Sequence, residues 1–185
     1  IHPVDKAAGR AIFKRYHADG AEPVVGISVR NWQHETHFKD VMAEVSDRIV
    51  RELGARVVFL PMQFPEDVHA AESIAERTHE PCTVLKDEYT TSEFLSLVGN
   101  MDLMLAIRLH ALIFAGVMGV PMIGVSYDPK IDRFLASIGE KPVGSLDDVT
   151  ADELMAEVRR KWNDKAVFRK RNAELLAKLR DLAAR

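Results

Sequence analysis

Apolar residues recur along this chain in two alternating rhythms. Short unbroken runs at 23–29, 56–60, 82–85, 103–107 and 122–125 lack polar alternation, as expected of strands covered on both faces. Between them lie segments with helical spacing. Residues 4–17 place Ala7, Ala8, Ala11, Ile12 and Tyr16 on one side, with Asp19 and Gly20 as the stop. Residues 38–53 carry Phe38, Val41, Met42, Val45, Ile49, Val50 and Leu53 at three-and-four spacing and close at Gly54. Glu66 and Asp67 open a helix running to about His79, an acidic pair that suits the positive end of a helix dipole. Thr91-Ser92-Glu93 starts another, ended by Gly99 and Asn100, and residues 131–137 form a short one ended by Gly139. A sixth, short strand is expected at 142–144. Beyond it the character changes: a helix starts near Thr150 and a long basic one covers 165–184.

Strand and helix alternating with short connections predict a Rossmann-like, doubly wound parallel α/β sheet of five or six strands. A helical tail, 147–185, completes a single domain spanning 1–185.

The most telling stretch is 101–130. A strand-length run is followed by Arg108-Leu109-His110, an apolar helix through Val117, then Gly119-Val120-Pro121, a second strand, and Ser126-Tyr127-Asp128-Pro129-Lys130. This is a βαβ unit whose polar residues sit at the turns. Its helix is apolar on every side and must be buried. Arg108 at the strand end and His110 in the first helical turn therefore bring a guanidinium, an imidazole and a helix dipole to one spot, which suits an anion. Arg30, Gln63, Ser126, Tyr127 and Lys130 fall just past strand ends on the same rim.

Composition narrows the field. With 185 residues, 47% hydrophobic and 29% charged, the chain has the balance of an ordinary globular domain. A net charge of -3 argues against a nucleic-acid partner; basic residues are densest only between 159 and 185. One cysteine, Cys82, excludes an intrachain disulfide, fits a reducing, cytoplasmic compartment and reads as a small buried residue. His34 and His37 lack the companions of a zinc site, so neither metal nor cofactor is expected. No apolar run reaches about 18 residues, so no transmembrane segment is expected; the longest, 109–125, is broken by His110, three glycines and Pro121. Ile1-His2-Pro3 has neither an initiator Met nor a signal-peptide pattern and reads as the start of a fragment.

The motif around Arg108, extended through Gly119-Val120-Pro121 and Ser126-Tyr127-Asp128-Pro129-Lys130-Ile131-Asp132, resembles the signature of the polysaccharide pyruvyl transferases, in particular the CsaB type of bacterial cell-wall synthesis. Gly26-Ile27-Ser28-Val29-Arg30-Asn31-Trp32 and Phe59-Leu60-Pro61-Met62-Gln63 resemble two further blocks in the same order. The resemblance implies transfer of the pyruvyl group of phosphoenolpyruvate to a sugar of a lipid-linked or polymeric cell-wall glycan, usually N-acetylmannosamine, with formation of a cyclic ketal. It also implies a two-domain architecture like the GT-B glycosyltransferases. This chain then supplies the donor-binding, C-terminal half and is inactive without its missing N-terminal domain.

Ketal formation from an enol phosphate needs proton delivery to a methylene carbon and fixed positive charge. His110 is therefore the expected general acid or base, and Arg108 the group that grips the carboxylate or phosphate. Arg30 and Lys130 are expected to add anion contacts, and Tyr127 and Gln63 to orient the acceptor. Structural readings stand beside these: Arg30 pairing with Glu35, Lys130 at a turn, Asp128 in an Asx turn. Trp32, His34 and His37 form a loop that edges the cleft or is simply exposed. Two alternatives remain: the nucleotide-sugar-binding half of a GT-B glycosyltransferase, and a non-catalytic binding module. The basic tail is expected to pack on the missing domain rather than on anionic lipid at the inner face of the membrane.

Overall fold

The computed structural model describes residues 1–31 and 36–184, with side chains described as far as residue 177. Trp32, His34 and Glu35, and with them the expected Arg30–Glu35 pair, lie outside the described residues. The elements follow in the order α1 (Ala7–Arg15), β1 (Val24–Ser28), α2 (Thr36–Leu53), β2 (Arg56–Phe59), α3 (Glu66–Ala75), β3 (Thr83–Val84), α4 (Thr91–Gly99) and β4 (Leu103–Ala106). Then come α5 (Leu109–Val117), β5 (Met122–Gly124), α6 (Pro129–Ser137), α7 (Ala151–Asn163) and α8 (Lys165–Ala184).

The five strands are all parallel, in the order β3-β2-β1-β4-β5. Because successive strand residues face opposite sides, Val25, Ile27, Val57, Phe59, Leu103 and Leu105 join one core, and Val58, Leu60, Met104 and Ala106 the other. Helices α2, α3 and α7 cover the first; α1, α4, α5, α6 and α8 cover the second. Gly26 leaves room in β1 for the Met101 side chain, whose sulfur would lie 2.1 Å from a Cβ there and would have to shift.

Several boundaries differ from expectation for identifiable reasons. In α1 the buried face is Gly9, Ile12 and Phe13, while Ala7, Ala8 and Ala11 are exposed. The helix meets α4 at Gly9, whose N–H donates to Ser96 Oγ at 2.7 Å, and a Cβ there would lie 2.4 Å from the Ser96 carbonyl oxygen. It ends early because His17 adopts φ 55°. Helix α3 stops at Ala75 rather than near His79, and the buried Asp47 carboxylate accepts the backbone N–H groups of His79 and Glu80 just beyond it. Helix α4 begins at Thr91 as expected, and its start is fixed by a capping box between Thr90 and Glu93.

Residues 142–144 do not form a sixth strand. The chain there instead runs beside the end of β5 through single contacts: Val143 N–H to the Gly124 carbonyl, Ser126 N–H to the Gly144 carbonyl, and Leu146 N–H to the Ser126 carbonyl. Cys82 is half-buried, and burial pushes its thiol up.

The basic tail folds onto its own domain. Leu176 of α8 packs on α5 at Gly116, where a Cβ would come within 2.6 Å of Leu176. Most of the charges expected to face elsewhere are paired internally: Arg159 with Glu52, Arg160 with Glu157, Arg169 with Asp102, and Arg171 with Glu140. Lys161 is buried, bonded to Glu140 at 2.9 Å and to the Met122 carbonyl, so that α7 is pinned to β5 and to the end of α6. Burial pushes the Lys161 ammonium down, against the pull of Glu140 and Glu157. Removing one partner of a buried pair leaves the other uncompensated. Here Glu140 would keep Arg171, but one of its oxygens and the Met122 carbonyl would lose their buried donor, so Lys161→Met should lower unfolding free energy by about 1–3 kcal/mol in urea titrations. A variant as stable as the parent would show that the pair contributes nothing.

Among the described residues no helix is long and apolar enough to cross a membrane.

Candidate functional site

The strand order reverses between β1 and β4. From β1 the chain moves outward through α2 to β2 and β3; after α4 it returns beside β1 as β4 and moves the other way. Helices α2 and α5 leave these two neighbouring strands on opposite faces of the sheet, which opens a crevice at their carboxyl ends. Arg30 follows β1 there, and Arg108 and His110 follow β4.

Arg108 is the residue before the first turn of α5. Unlike Thr90, Asp128 and Thr150 at the starts of α4, α6 and α7, it supplies no side-chain cap, so the first N–H groups of α5 have no side-chain acceptor in that position. Its side chain turns instead toward the β2–α3 connection. Nη2 donates to Asp67 Oδ1 at 2.5 Å and to Gln63 Oε1 at 3.1 Å, and Nε donates to Asp67 Oδ2 at 3.1 Å. The Asp67 side chain is 0% exposed and also accepts the backbone N–H groups of Met62 and Gln63, at 3.1 and 2.9 Å.

This corrects two expectations. Asp67, read as a dipole partner at the start of α3, joins two loops through one carboxylate. Arg108 is not an uncompensated cation awaiting a ligand, because two of its three nitrogens are held by Asp67 and Gln63 and its charge is balanced at contact distance. Only Nη1 remains for anything else. No local signal links Asp67 to Arg108, 41 positions away in sequence.

Two hollows flank His110, which is exposed. The smaller, about 190 Å³, is lined by Arg30, Arg108, His110, Tyr127, Asp128 and Lys130. The Arg30 guanidinium lies 4.5 Å from the centre of the Tyr127 ring, linking the ends of β1 and β5. The larger, about 480 Å³, lies toward α4 and is bounded by Met62, Gln63, Tyr89 and Thr91 together with Phe94 and Phe114. Sequence reading missed all of these except Gln63, because each scans as core or as a loop residue.

Of the seven expected site residues, six line one hollow or the other. Ser126 lines neither; its backbone is taken up by the contacts with Gly144 and Leu146, which hold it alongside the sheet. Asp128 caps α6 by accepting the Lys130 N–H at 2.8 Å, the Asx turn foreseen for it. His37 lies on α2, its Nε2 3.3 Å from the Val149 carbonyl. Among the described residues no three His, Cys, Asp or Glu side chains gather as a metal site.

A sequence model for the polysaccharide pyruvyl transferases matches residues 9–129, about two thirds of the chain. The chain belongs to the polysaccharide pyruvyl transferase family. The match takes in Arg30, Gln63, Asp67, Arg108, His110 and Tyr127 and stops one residue short of Lys130. No curated protein sequence matches the chain.

Solved structures similar in fold to this family member include glycosyltransferases and UDP-N-acetylglucosamine 2-epimerases. The Escherichia coli ADP-heptose lipopolysaccharide heptosyltransferase II superposes with a TM-score of 0.68 at 13% identity, over 88% of this chain and 53% of its own. A family 9 glycosyl transferase from Veillonella parvula gives 0.66 at 12%, over 89% and 54%. The C-terminal domain of a group 1 glycosyl transferase from Francisella tularensis gives 0.61 at 9%, over 96% and 94%. The chain thus spans about half the length of the first two and nearly all of an isolated C-terminal domain.

Proposed function

We propose that this chain is the donor-binding half of a CsaB-type pyruvyl transferase. It moves the pyruvyl group of phosphoenolpyruvate onto a cell-wall glycan precursor, with N-acetylmannosamine as the acceptor sugar. The observation that carries the reading is the position of His110, at the strand-order reversal, beside a small cationic cleft. Arg30 and Lys130 meet the charges of a three-carbon phospho-acid there, and Arg108 adds one donor through Nη1. Tyr127 holds Arg30 in place.

The reaction runs without net gain or loss of protons. The methylene carbon takes a proton, the resulting cationic carbon is attacked by one sugar hydroxyl, phosphate departs with its electron pair, and the second hydroxyl closes the ring. One hydroxyl proton ends on the new methyl group and the other leaves with phosphate. Imidazole, which both gives and takes protons near neutrality, suits the delivery and the later removal. The cleft is completed by a second domain in the manner of a GT-B enzyme, and the protein works in the cytoplasm, where phosphoenolpyruvate is met.

A second reading, the nucleotide-sugar half of a glycosyltransferase, draws on the likeness to an ADP-heptose heptosyltransferase. Ligand-dependent melting separates the two. Phosphoenolpyruvate at a hundredfold excess over its Kd should stabilise the folded chain by about 2.7 kcal/mol, several degrees in Tm, and ADP or UDP should not. Stabilisation by the nucleotide alone reverses the assignment.

A further inference from the structure

The two hollows beside His110 differ most in charge. On the cationic side stand Arg30 and Lys130, with the Asp128 carboxylate beside them and Arg108, already paired with Asp67, shared between the two hollows. On the other, Arg108 is the one permanently charged residue, and it is balanced by the fully buried Asp67. The remaining lining is an amide, a hydroxyl, a thioether and rings, beside the imidazole itself. Such a surface gives an acid or a diphosphate nothing to pair with, and suits a neutral ligand of mixed polarity.

Its rings form a continuous series. Tyr89 meets Phe94 edge-on with centroids 5.6 Å apart, Phe94 and Phe114 stack at 6.4 Å, and Phe114 meets His110 at 6.4 Å. The three aromatic side chains are largely buried and present a narrow apolar floor suited to the C–H side of a sugar ring, while Gln63 and Thr91 on the exposed rim offer partners for hydroxyls. Size agrees with this division. At about 480 Å³ the hollow falls within the roughly 300–1,000 Å³ usual for small-molecule sites, whereas the cationic cleft at about 190 Å³ suits something smaller.

We propose that the Met62–Tyr89–Phe94–Phe114 hollow is the acceptor subsite. A neutral pyranose lies against the ring series with its reacting hydroxyl pair turned toward His110, and the phospho-acid occupies the opposite side of the same imidazole. This rests on the pyruvyl-transfer reading and adds to it a place for the second substrate. It also separates the two enzyme readings, since a nucleoside diphosphate would put its charges into a hollow whose one permanent cation, Arg108, is already paired with Asp67.

Backbone amide shifts of the folded chain test it with three probes used singly: N-acetylmannosamine, phosphoenolpyruvate and UMP. The sugar should move the Met62 and Thr91 signals and leave Lys130 in place; phosphoenolpyruvate should move Lys130 and not Thr91; both should move His110. Thr91 is exposed in the first turn of α4, so Thr91→Trp fills the hollow from its rim and should weaken the sugar by about tenfold or more with phosphoenolpyruvate binding unchanged. Met62→Trp should do the same from the opposite wall. The subsite is overturned if the sugar moves no signal at Met62 and Thr91, if it moves Lys130 instead, if neither tryptophan weakens it, or if UMP moves those signals more strongly. Failure of phosphoenolpyruvate to move Lys130 would instead sink the pyruvyl-transfer reading, and the sugar signals report independently of it.

Discussion

Replacing His110 with alanine should lower pyruvyl transfer by about 10²–10⁴-fold while leaving the fold intact, because a positioned general acid or base contributes that much and little else depends on this side chain. His110 is exposed, and its one ring neighbour among the described residues is Phe114, at 6.4 Å. Surface changes of this kind alter stability by less than about 0.5 kcal/mol. The measurement is phosphate release from phosphoenolpyruvate in the presence of acceptor, on the complete gene product, with thermal melting as the control. His110→Gln, which keeps polarity and hydrogen bonding but neither gives up nor takes on a proton in the working range, should be as inactive as His110→Ala. Retained turnover in either would remove His110 from the chemistry, and a non-catalytic binding role would then be the better account of the site.

Asp67→Ala should be the most destabilising single change at the site. Asp67 accepts from four nitrogens, namely two backbone N–H groups and two guanidinium positions, with its side chain 0% exposed. Truncation strands the two backbone N–H groups and Arg108 Nε, leaves Nη2 with Gln63 alone and removes the counter-charge of the half-buried Arg108, a loss of about 3–5 kcal/mol. For a domain of this size that amounts to roughly 10 °C in Tm. Asp67→Asn keeps the shape and one acceptor, so it should fold better while holding Arg108 less firmly. In that variant the Kd for phosphoenolpyruvate should rise severalfold with the Tm only partly reduced. If Asp67→Ala melts with the parent, the carboxylate is not the knot between the two loops.

Strand and helix identities were legible because they rest on local periodicity. Uninterrupted apolar runs predicted all five strands, and Gly54 and Gly139, with φ of 60° and 74°, marked helix ends that only a residue without Cβ takes up easily. Where local reading failed, a distant residue decided the outcome. Ala7, Ala8 and Ala11 looked like a buried face until Gly9 proved to be the point of closest approach to α4. The 142–144 segment looked like a strand and instead touches β5 through single contacts. The basic tail looked like a surface for something else, and its charges are answered by Glu52, Asp102 and Glu140 from distant elements and by Glu157 one turn away on α7 itself.

The candidate site divides along the same line. Arg108 and His110 could be placed from sequence alone, since a strand end followed by a buried helix fixes where the intervening polar residues must emerge. What those residues face could not. The Asp67 carboxylate beneath Arg108, and the aromatic series leading from Tyr89 to His110, are assembled from three connections, β2–α3, β3–α4 and β4–α5, that meet only when the sheet brings the ends of β2 and β4 beside the start of α4. Periodicity is written into neighbouring residues because backbone geometry repeats every few positions. Charge balance and cavity shape arise between residues tens of positions apart, and no local pattern encodes them.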